Sequence, residues 1–253
     1  MHLAQDFSEL FSLPALISLL TLSVLEIVLG IDNIIFISIV SGKLAREQQG
    51  KARTLGLLLA LIMRVLLLFS ISFIVGLKSA LFNIGSFGVT GRDLVLFCGG
   101  VFLLYKTTIE LHNKVQGYEE DQVSVKKVSF NSIVFQIVLI DIVFSFDSIL
   151  TAVGLVTNLI VMVLAVIIAM IIMILFSGKV SDFINDNPTI KVLALSFLLM
   201  IGVMLVLESF HQHVDKTLVY ISIAFSLFVE LLNIRMRKKA ERRDSNNDPR
   251  DVI

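Results

Sequence analysis

Glu26-Ile-Val-Leu-Gly30-Ile-Asp32-Asn33 recurs in outline as Asp141-Ile-Val-Phe-Ser145-Phe-Asp147-Ser148, each copy lying in the middle of a long apolar run. An ionisable group at bilayer depth costs a few kcal/mol or more, and where one is kept it lines a pathway or binds something. Two acids at matching places in two such runs therefore mark both a duplicated membrane fold and the place to look for its chemistry.

The rest of the chain agrees. Its 253 residues are 56% hydrophobic, with mean hydropathy +0.91 and no Trp. Apolar stretches at about 13–40, 55–77, 93–111, 129–154, 157–177, 190–208 and 217–234 can each cross a hydrocarbon core of roughly 30 Å as a helix of about 20 residues. They lack the period-2 alternation of a transmembrane barrel, so strands are not expected in them. The expected fold is all-α, a polytopic transmembrane bundle of about seven helices, with the least distinct boundary between spans four and five.

The formal net charge of zero hides a strong asymmetry. Lys43, Arg46, Lys51 and Arg53 follow span one; Lys106, Lys114, Lys126 and Lys127 surround the next loop on that side; Lys179 and Lys191 follow span five. Arg235, Arg237, Lys238, Lys239, Arg242, Arg243 and Arg250 follow span seven, and the opposite side has only Lys78, Arg92 and Lys216. The positive-inside rule then places the N-terminus outside and the C-terminus in the cytoplasm, as expected of a multi-pass protein of a bacterial inner membrane. No basic leader or small-residue cleavage site precedes span one, which is read as retained. Residues 1–239 are expected to form one transmembrane domain, and residues 240–253 a polar cytoplasmic tail of disordered composition. Its basic start is explained by topology and anionic headgroups, with no nucleic acid required. The lone Cys98 forms no intrachain disulfide and reads as a small core residue.

Three spans separate the start of one motif from the start of the other, and an odd number reverses direction through the membrane. Repeat one (about 13–111) and repeat two (about 129–208) should thus be related by a pseudo-two-fold axis in the membrane plane, with span seven (217–234) outside the repeat. A weaker correspondence follows each third helix: Gly100 precedes Lys106, Glu110 and His112, and Gly202 precedes Glu208, His211 and His213.

The two acids of each motif are six residues apart, which on an ideal helix means about 120° around the axis and about 9 Å along it. A straight helix would not aim both at one ion, so the helix is expected to unwind or kink at Gly30 and at Ser145, freeing carbonyls as ligands. Glu26, Asp32, Asp141 and Asp147 then converge, with Asn33 and Ser148 beside them. Carboxylate, amide and hydroxyl oxygens suit hard cations such as Mg²⁺, Ca²⁺ or Mn²⁺. Four carboxylates around one dication raise one another's pKa, which makes exchange of metal for protons a natural mechanism. Arg64 is the obvious counter-ion, Lys106 is placed to snorkel, and Gln136, Thr107, Thr108 and Thr151 are candidate pathway groups. Glu110, His112, Glu208, His211 and His213 read either as mouths of an ion path or as solvated interfacial residues. Glu230 and Asn233 are expected to face water.

These residues carry a resemblance. Glu26-x-x-x-Gly30-x-Asp32-Asn33 and Asp141-x-x-Phe144-Ser145-x-Asp147-Ser148, with Arg64, Lys106-x-x-x-Glu110-x-His112 and Glu208-x-x-His211, resemble the TerC family of bacterial integral membrane proteins over about residues 13–235. The nearest likeness is to its short stand-alone branch, since no cystathionine-synthase-type pair domain or transporter-associated domain is seen after span seven. Members are linked to tellurite resistance and to manganese export, including metal supply to proteins at the translocation machinery. The resemblance implies Mn²⁺ efflux with the motif acids as ligands, the cation being cargo, and no organic cofactor. Ser148 standing where the first motif has Asn33 means that the halves need not contribute equally.

The leading expectation is a non-enzymatic secondary transporter exporting Mn²⁺. The sequence shows no nucleotide-binding loop, so proton or potential gradients would drive it. A non-transporting membrane partner of metal-loading or stress-resistance complexes is the alternative. An intramembrane aspartyl protease is disfavoured, because four acids exceed a catalytic dyad and no Gly-x-Gly-Asp surrounds either Asp.

Overall fold

Each expected span forms a helix, and local chemistry explains where most of them start. The computed structural model describes residues 12–70, 80–85, 87–116, 128–155, 158–212 and 214–246. The side chains of residues 80, 84, 87, 147, 150–155, 216, 238 and 240–246 lie outside that description. Helix α1 (Leu13–Leu29) opens at Ser12, whose hydroxyl accepts from the Ala15 amide, and Pro14 stands in the first turn, where no amide hydrogen is needed. After Gly30 the same span continues as α2 (Ile31–Ser41). α3 covers Arg46–Phe69, α4 Gly91–Val115 and α5 Phe130–Leu155. α6 (Leu159–Asp186) is capped by Asn158, whose side-chain oxygen accepts from the Ile160 and Val161 amides. Asn187 alone separates it from α7 (Pro188–Ser209), and α8 runs over Lys216–Asn246. Among the described residues, six spans are long and apolar enough to cross a membrane, with α1 and α2 counted together. α5 makes the seventh, 26 residues long with an apolar stretch over Phe130–Phe146.

Two helix ends extend beyond the sequence expectation for the same reason. α3 starts nine residues early, at Arg46, because the polar residues before Leu55 extend the apolar helix by ordinary propensity. The expected end of that span, 70–77, lies mostly outside the described residues. α8 runs through Asn246, so the part of the tail before residue 247 is helical; Arg, Lys, Glu and Ala are good helix formers and simply continue the span. Residues 247–253 lie outside the described residues.

A short hairpin precedes α4. β1 (Ala80–Ile84) and β2 (Phe87–Thr90) pair antiparallel, with Phe82 opposite Val89, Asn83 opposite Gly88 and Ile84 opposite Phe87. Gly85 has φ 64°, the left-handed region that tight hairpin turns require and glycine enters without penalty.

The packing is that of an inverted repeat. Helices of one half pair chiefly with helices of the other: α4 with α7, α3 with α5, and α1 and α2 with α6. In repeat terms, third packs on third, while first-on-second contacts occur in both senses. The α4–α7 crossing displays the symmetry atom by atom. A Cβ on Gly100 would stand 2.9 Å from the Gly202 carbonyl oxygen and 2.9 Å from Val206; one on Gly202 would stand 3.3 Å from the Gly100 carbonyl oxygen and 3.0 Å from Leu104. Each glycine thus meets its counterpart and the residue four beyond it. In lipid, where no hydrophobic force drives helices together, small residues of this kind allow the close contact that holds them. Long apolar side chains such as Leu16, Leu20, Leu58, Ile62, Phe135 and Leu175 point outward instead, and the apolar window of α8 has no buried residue. Cys98 is also exposed, on α4, and is not the core residue expected.

Gly100→Val should overpack this crossing and destabilise the protein by about 1–3 kcal/mol, lowering its thermal unfolding temperature in detergent. Gly50→Ala, in an open helical position of α3, should instead raise stability by about 0.5–1 kcal/mol.

Candidate functional site

The centre of the bundle holds a charged cluster built from three spans. Glu26 comes from α1, Arg64 from α3 and Asp141 from α5, and each is no more than 2% exposed. Arg64 Nη1 donates to Glu26 Oε2 at 2.5 Å and Nη2 to Asp141 Oδ1 at 3.1 Å. Glu26 and Asp141 are the corresponding first acids of the two motifs, so one guanidinium joins the two halves of the repeat. Asn33 Nδ2 donates to the same Asp141 Oδ1 at 3.1 Å, and Ser145 Oγ donates to Asp141 Oδ2 at 3.1 Å. Ser148, the counterpart of Asn33, stands beside Glu26 while its hydroxyl donates to the Ser145 carbonyl at 3.3 Å. The motif residues therefore reach across the interface reciprocally.

Local geometry explains which residues meet. Seven residues bring a helix back to within about 20° of its starting face, so Asn33, not Asp32, lies below Glu26. Asp32 points elsewhere: it is 5% exposed, and Oδ2 accepts from the Tyr220 hydroxyl of α8 at a long 3.4 Å. The expected convergence of both acids of a motif is thus not what α1 and α2 present. Among the described residues, no three of His, Cys, Asp and Glu are grouped to hold one ion. The Asp147 side chain lies outside the described residues, so its place relative to Asp32 is not part of this geometry.

The expected helix breaks also take a different form. At Gly30 the interruption is a single residue with φ −83° and ψ −7°. Its amide still bonds the Glu26 carbonyl at 2.9 Å, and its carbonyl still accepts from Ile34 at 3.1 Å, so neither carbonyl is released as a ligand. A Cβ there would strike the Met173 sulfur of α6, so a larger residue would require that flexible side chain to shift. α5 is continuous through Ser145; the hydroxyl that was expected to bend the backbone bonds the Asp141 carboxylate one turn back instead.

Acidic groups outnumber basic ones in the cluster. Arg64 is one positive charge between two buried carboxylates. Two polar atoms within the cluster, Arg64 Nε and Asn33 Oδ1, are buried without a hydrogen-bond partner among the described residues, which is uncommon for native interiors.

The remaining candidate residues lie away from this centre. Glu110, at the end of α4, pairs with Lys43 beyond α2. Lys106 lies over the Phe102 ring at 6.0 Å, Thr107 is buried, and Thr108 and His112 are exposed. Gln136 bonds Ser132 on its own helix and does not enter the cluster. At the other end of the bundle, Arg92 Nη2 lies 3.6 Å from Glu208 Oε2, and His211 Nε2 lies 2.9 Å from Asp93 Oδ2. These pairs tie the start of α4 to the end of α7. His211 holds φ 58°, a left-handed conformation that costs a non-glycine residue roughly 1–2 kcal/mol. His213 and the side chain of Thr151 lie outside the described residues. Glu230 and Asn233 bond each other on α8 at 3.3 Å.

Two contributors had not been singled out. Asp93 was legible, since Thr90-x-x-Asp93 before an apolar run is a capping box, and both of its bonds form, at 2.8 and 3.1 Å. Tyr220 carries no signal that would distinguish it from any interfacial tyrosine.

Comparison with known proteins agrees with this architecture. The sequence model described as "Integral membrane protein TerC family" matches residues 11–245. The chain is similar to the UPF0053 inner membrane protein YoaE of Escherichia coli K12, 50% identical over 228 residues, which is 90% of this chain and 44% of that one. This chain therefore spans under half the length of YoaE. It is also similar to the UPF0053 inner membrane protein YgdQ of the same strain, 46% identical over 89% of this chain and 94% of that one. A UPF0053 protein of Haemophilus influenzae is 45% identical over 88% of this chain and 95% of its own length. No solved structure matches.

Asp141→Ala removes the acceptor for Arg64, Asn33 and Ser145 together and should cost about 3–5 kcal/mol, read by unfolding in detergent. Lys43→Ala removes a partly exposed bridge and should cost no more than about 1 kcal/mol. Because of its backbone conformation, His211→Gly should leave the protein about 1 kcal/mol more stable than His211→Ala.

Proposed function

This chain belongs to the TerC family of integral membrane proteins, and from that membership we propose that it is a secondary transporter exporting a divalent cation, Mn²⁺ first among them, across a bacterial inner membrane. One observation carries the reading: corresponding acids of two inverted halves, Glu26 and Asp141, are buried on either side of a single guanidinium, two carboxyl groups to one cation. Carrying bare carboxylates in a low-dielectric interior is costly, so a fold that keeps them in duplicate keeps them for a cation. An inverted repeat offers such a site to either side of the membrane in turn by rocking one half against the other.

Donor chemistry supports the class of cargo. Carboxylates, the Asn33 amide and the Ser145 and Ser148 hydroxyls are hard oxygen ligands, suited to Mn²⁺, Mg²⁺ or Ca²⁺ rather than to copper or zinc. Asp32, buried beside Tyr220, and Asp147, its counterpart in α5, complete the proposed path. Proton exchange follows from charge: carboxylates that release a dication inside the membrane are best neutralised by protons. The charge of the loops puts the C-terminus on the cytoplasmic side, and the outward direction of transport comes from the family likeness. Manganese comes from the family likeness, as do tellurite resistance and contact with the translocation machinery.

Mn²⁺ flux into proteoliposomes tests this directly. Asp32→Asn and Asp147→Asn should each slow transport at least tenfold while leaving the protein folded and monodisperse; wild-type flux from both variants would remove the proposed path.

A further inference from the structure

We propose that Arg64 is a tethered counter-cation: its guanidinium competes with the transported ion for Glu26 and Asp141, so that the ion pairs and ion binding exclude one another. The inference rests on reading this cluster as the cation's path.

Position comes first. Arg64 does not approach the acids from the rim; it lies between them, touching one carboxylate from each half of the repeat at 2.5 and 3.1 Å, itself 2% exposed. The two oxygens it holds are those that a cation bridging the halves would need. No solvent screens the site, so a dication brought to the same oxygens would face the guanidinium at contact distance in a medium of low dielectric constant. The two cannot share the carboxylates, and one of them must leave.

Incomplete bonding is the second, independent observation. A bridge kept only for structure is expected to close its hydrogen bonds, because the cost of burying charge is offset only when the remaining donors and acceptors are satisfied. Among the described residues Arg64 Nε has no partner, and neither has Asn33 Oδ1, although Asn33 is 2% exposed and its amide nitrogen already rests on Asp141. An oxygen without a donor, on the amide that bonds Asp141, joins the carboxylates in a donor set for a hard cation once the guanidinium has moved.

Charge then gives the device a purpose. A monovalent ion replacing the guanidinium brings no more charge than it displaces, whereas a dication brings one more, so the competition favours dications. Once the ion has left, Arg64 returns and the acids do not face each other bare, which eases the ion-free return of the two halves.

Mn²⁺ affinity of the purified protein in detergent, followed by the electron paramagnetic resonance of free Mn²⁺, tests the competition. Arg64→Gln should bind at least tenfold tighter and should become sensitive to K⁺, while Arg64→Lys should stay within about threefold of wild type. If Arg64→Gln does not fold, Glu26→Gln/Arg64→Gln keeps the local charge of the wild type and is compared with Glu26→Gln; the double variant should bind at least tenfold tighter. Equal affinity with and without Arg64 in folded protein overturns the competition and leaves the transport reading standing. Folded wild-type and Arg64 variants that bind none of Mn²⁺, Mg²⁺ and Ca²⁺ overturn both.

Discussion

A single guanidinium between two buried carboxylates constrains everything around it. Arg64 of α3 must reach Glu26 of α1 and Asp141 of α5 at once, and breaking a buried ion pair from one side costs several kcal/mol. Those three helices, drawn from both halves of the chain, are therefore locked at one level. Asn33 and Ser145 can serve Asp141 only because α2 and α5 hold that level. The same arrangement sets two carboxyl groups against one guanidinium at the centre, and that surplus of oxygen ligands turns a structural junction into a candidate cation site.

The helices around this junction achieve by packing what their sequence cannot do with a hydrophobic driving force in lipid. Gly100 and Gly202 let α4 and α7 cross with their backbones in contact, while α1 and α2 pack on α6 and α3 packs on α5. Polar closures sit at opposite ends of the molecule: Lys43 with Glu110 at one, and Asp93 with His211 and Arg92 with Glu208 at the other.

Much of this was legible from residues. Long apolar runs located all seven spans because the thickness of a bilayer dictates their length. Parity dictated the inversion, and Arg64 was recognisable as a counter-ion because an unpaired arginine would not survive at that depth. What escaped reading depended on angles and neighbours. The motif acids were expected to share a site, yet the heptad relation puts Asn33 under Glu26 and turns Asp32 toward Tyr220. Ser145 was expected to break α5, but its hydroxyl had a carboxylate one turn away to bond instead of the backbone. Gly30 reads as a hinge in isolation, yet the helical hydrogen bonds run on through it and the Met173 side chain packs against it.

By itself, then, the sequence determined an all-helical membrane protein of duplicated, inverted halves, with acids at membrane depth and a family likeness that suggests their cargo. These properties follow from hydropathy, count and order, which are carried along the chain. Tertiary structure alone decided that the first acids of the two motifs face one another, that one arginine spans both, and that the second acid of the first motif belongs to a different neighbourhood. Those outcomes turn on how seven helices rotate about their axes, a quantity set by mutual packing and by where buried charge can find its partner.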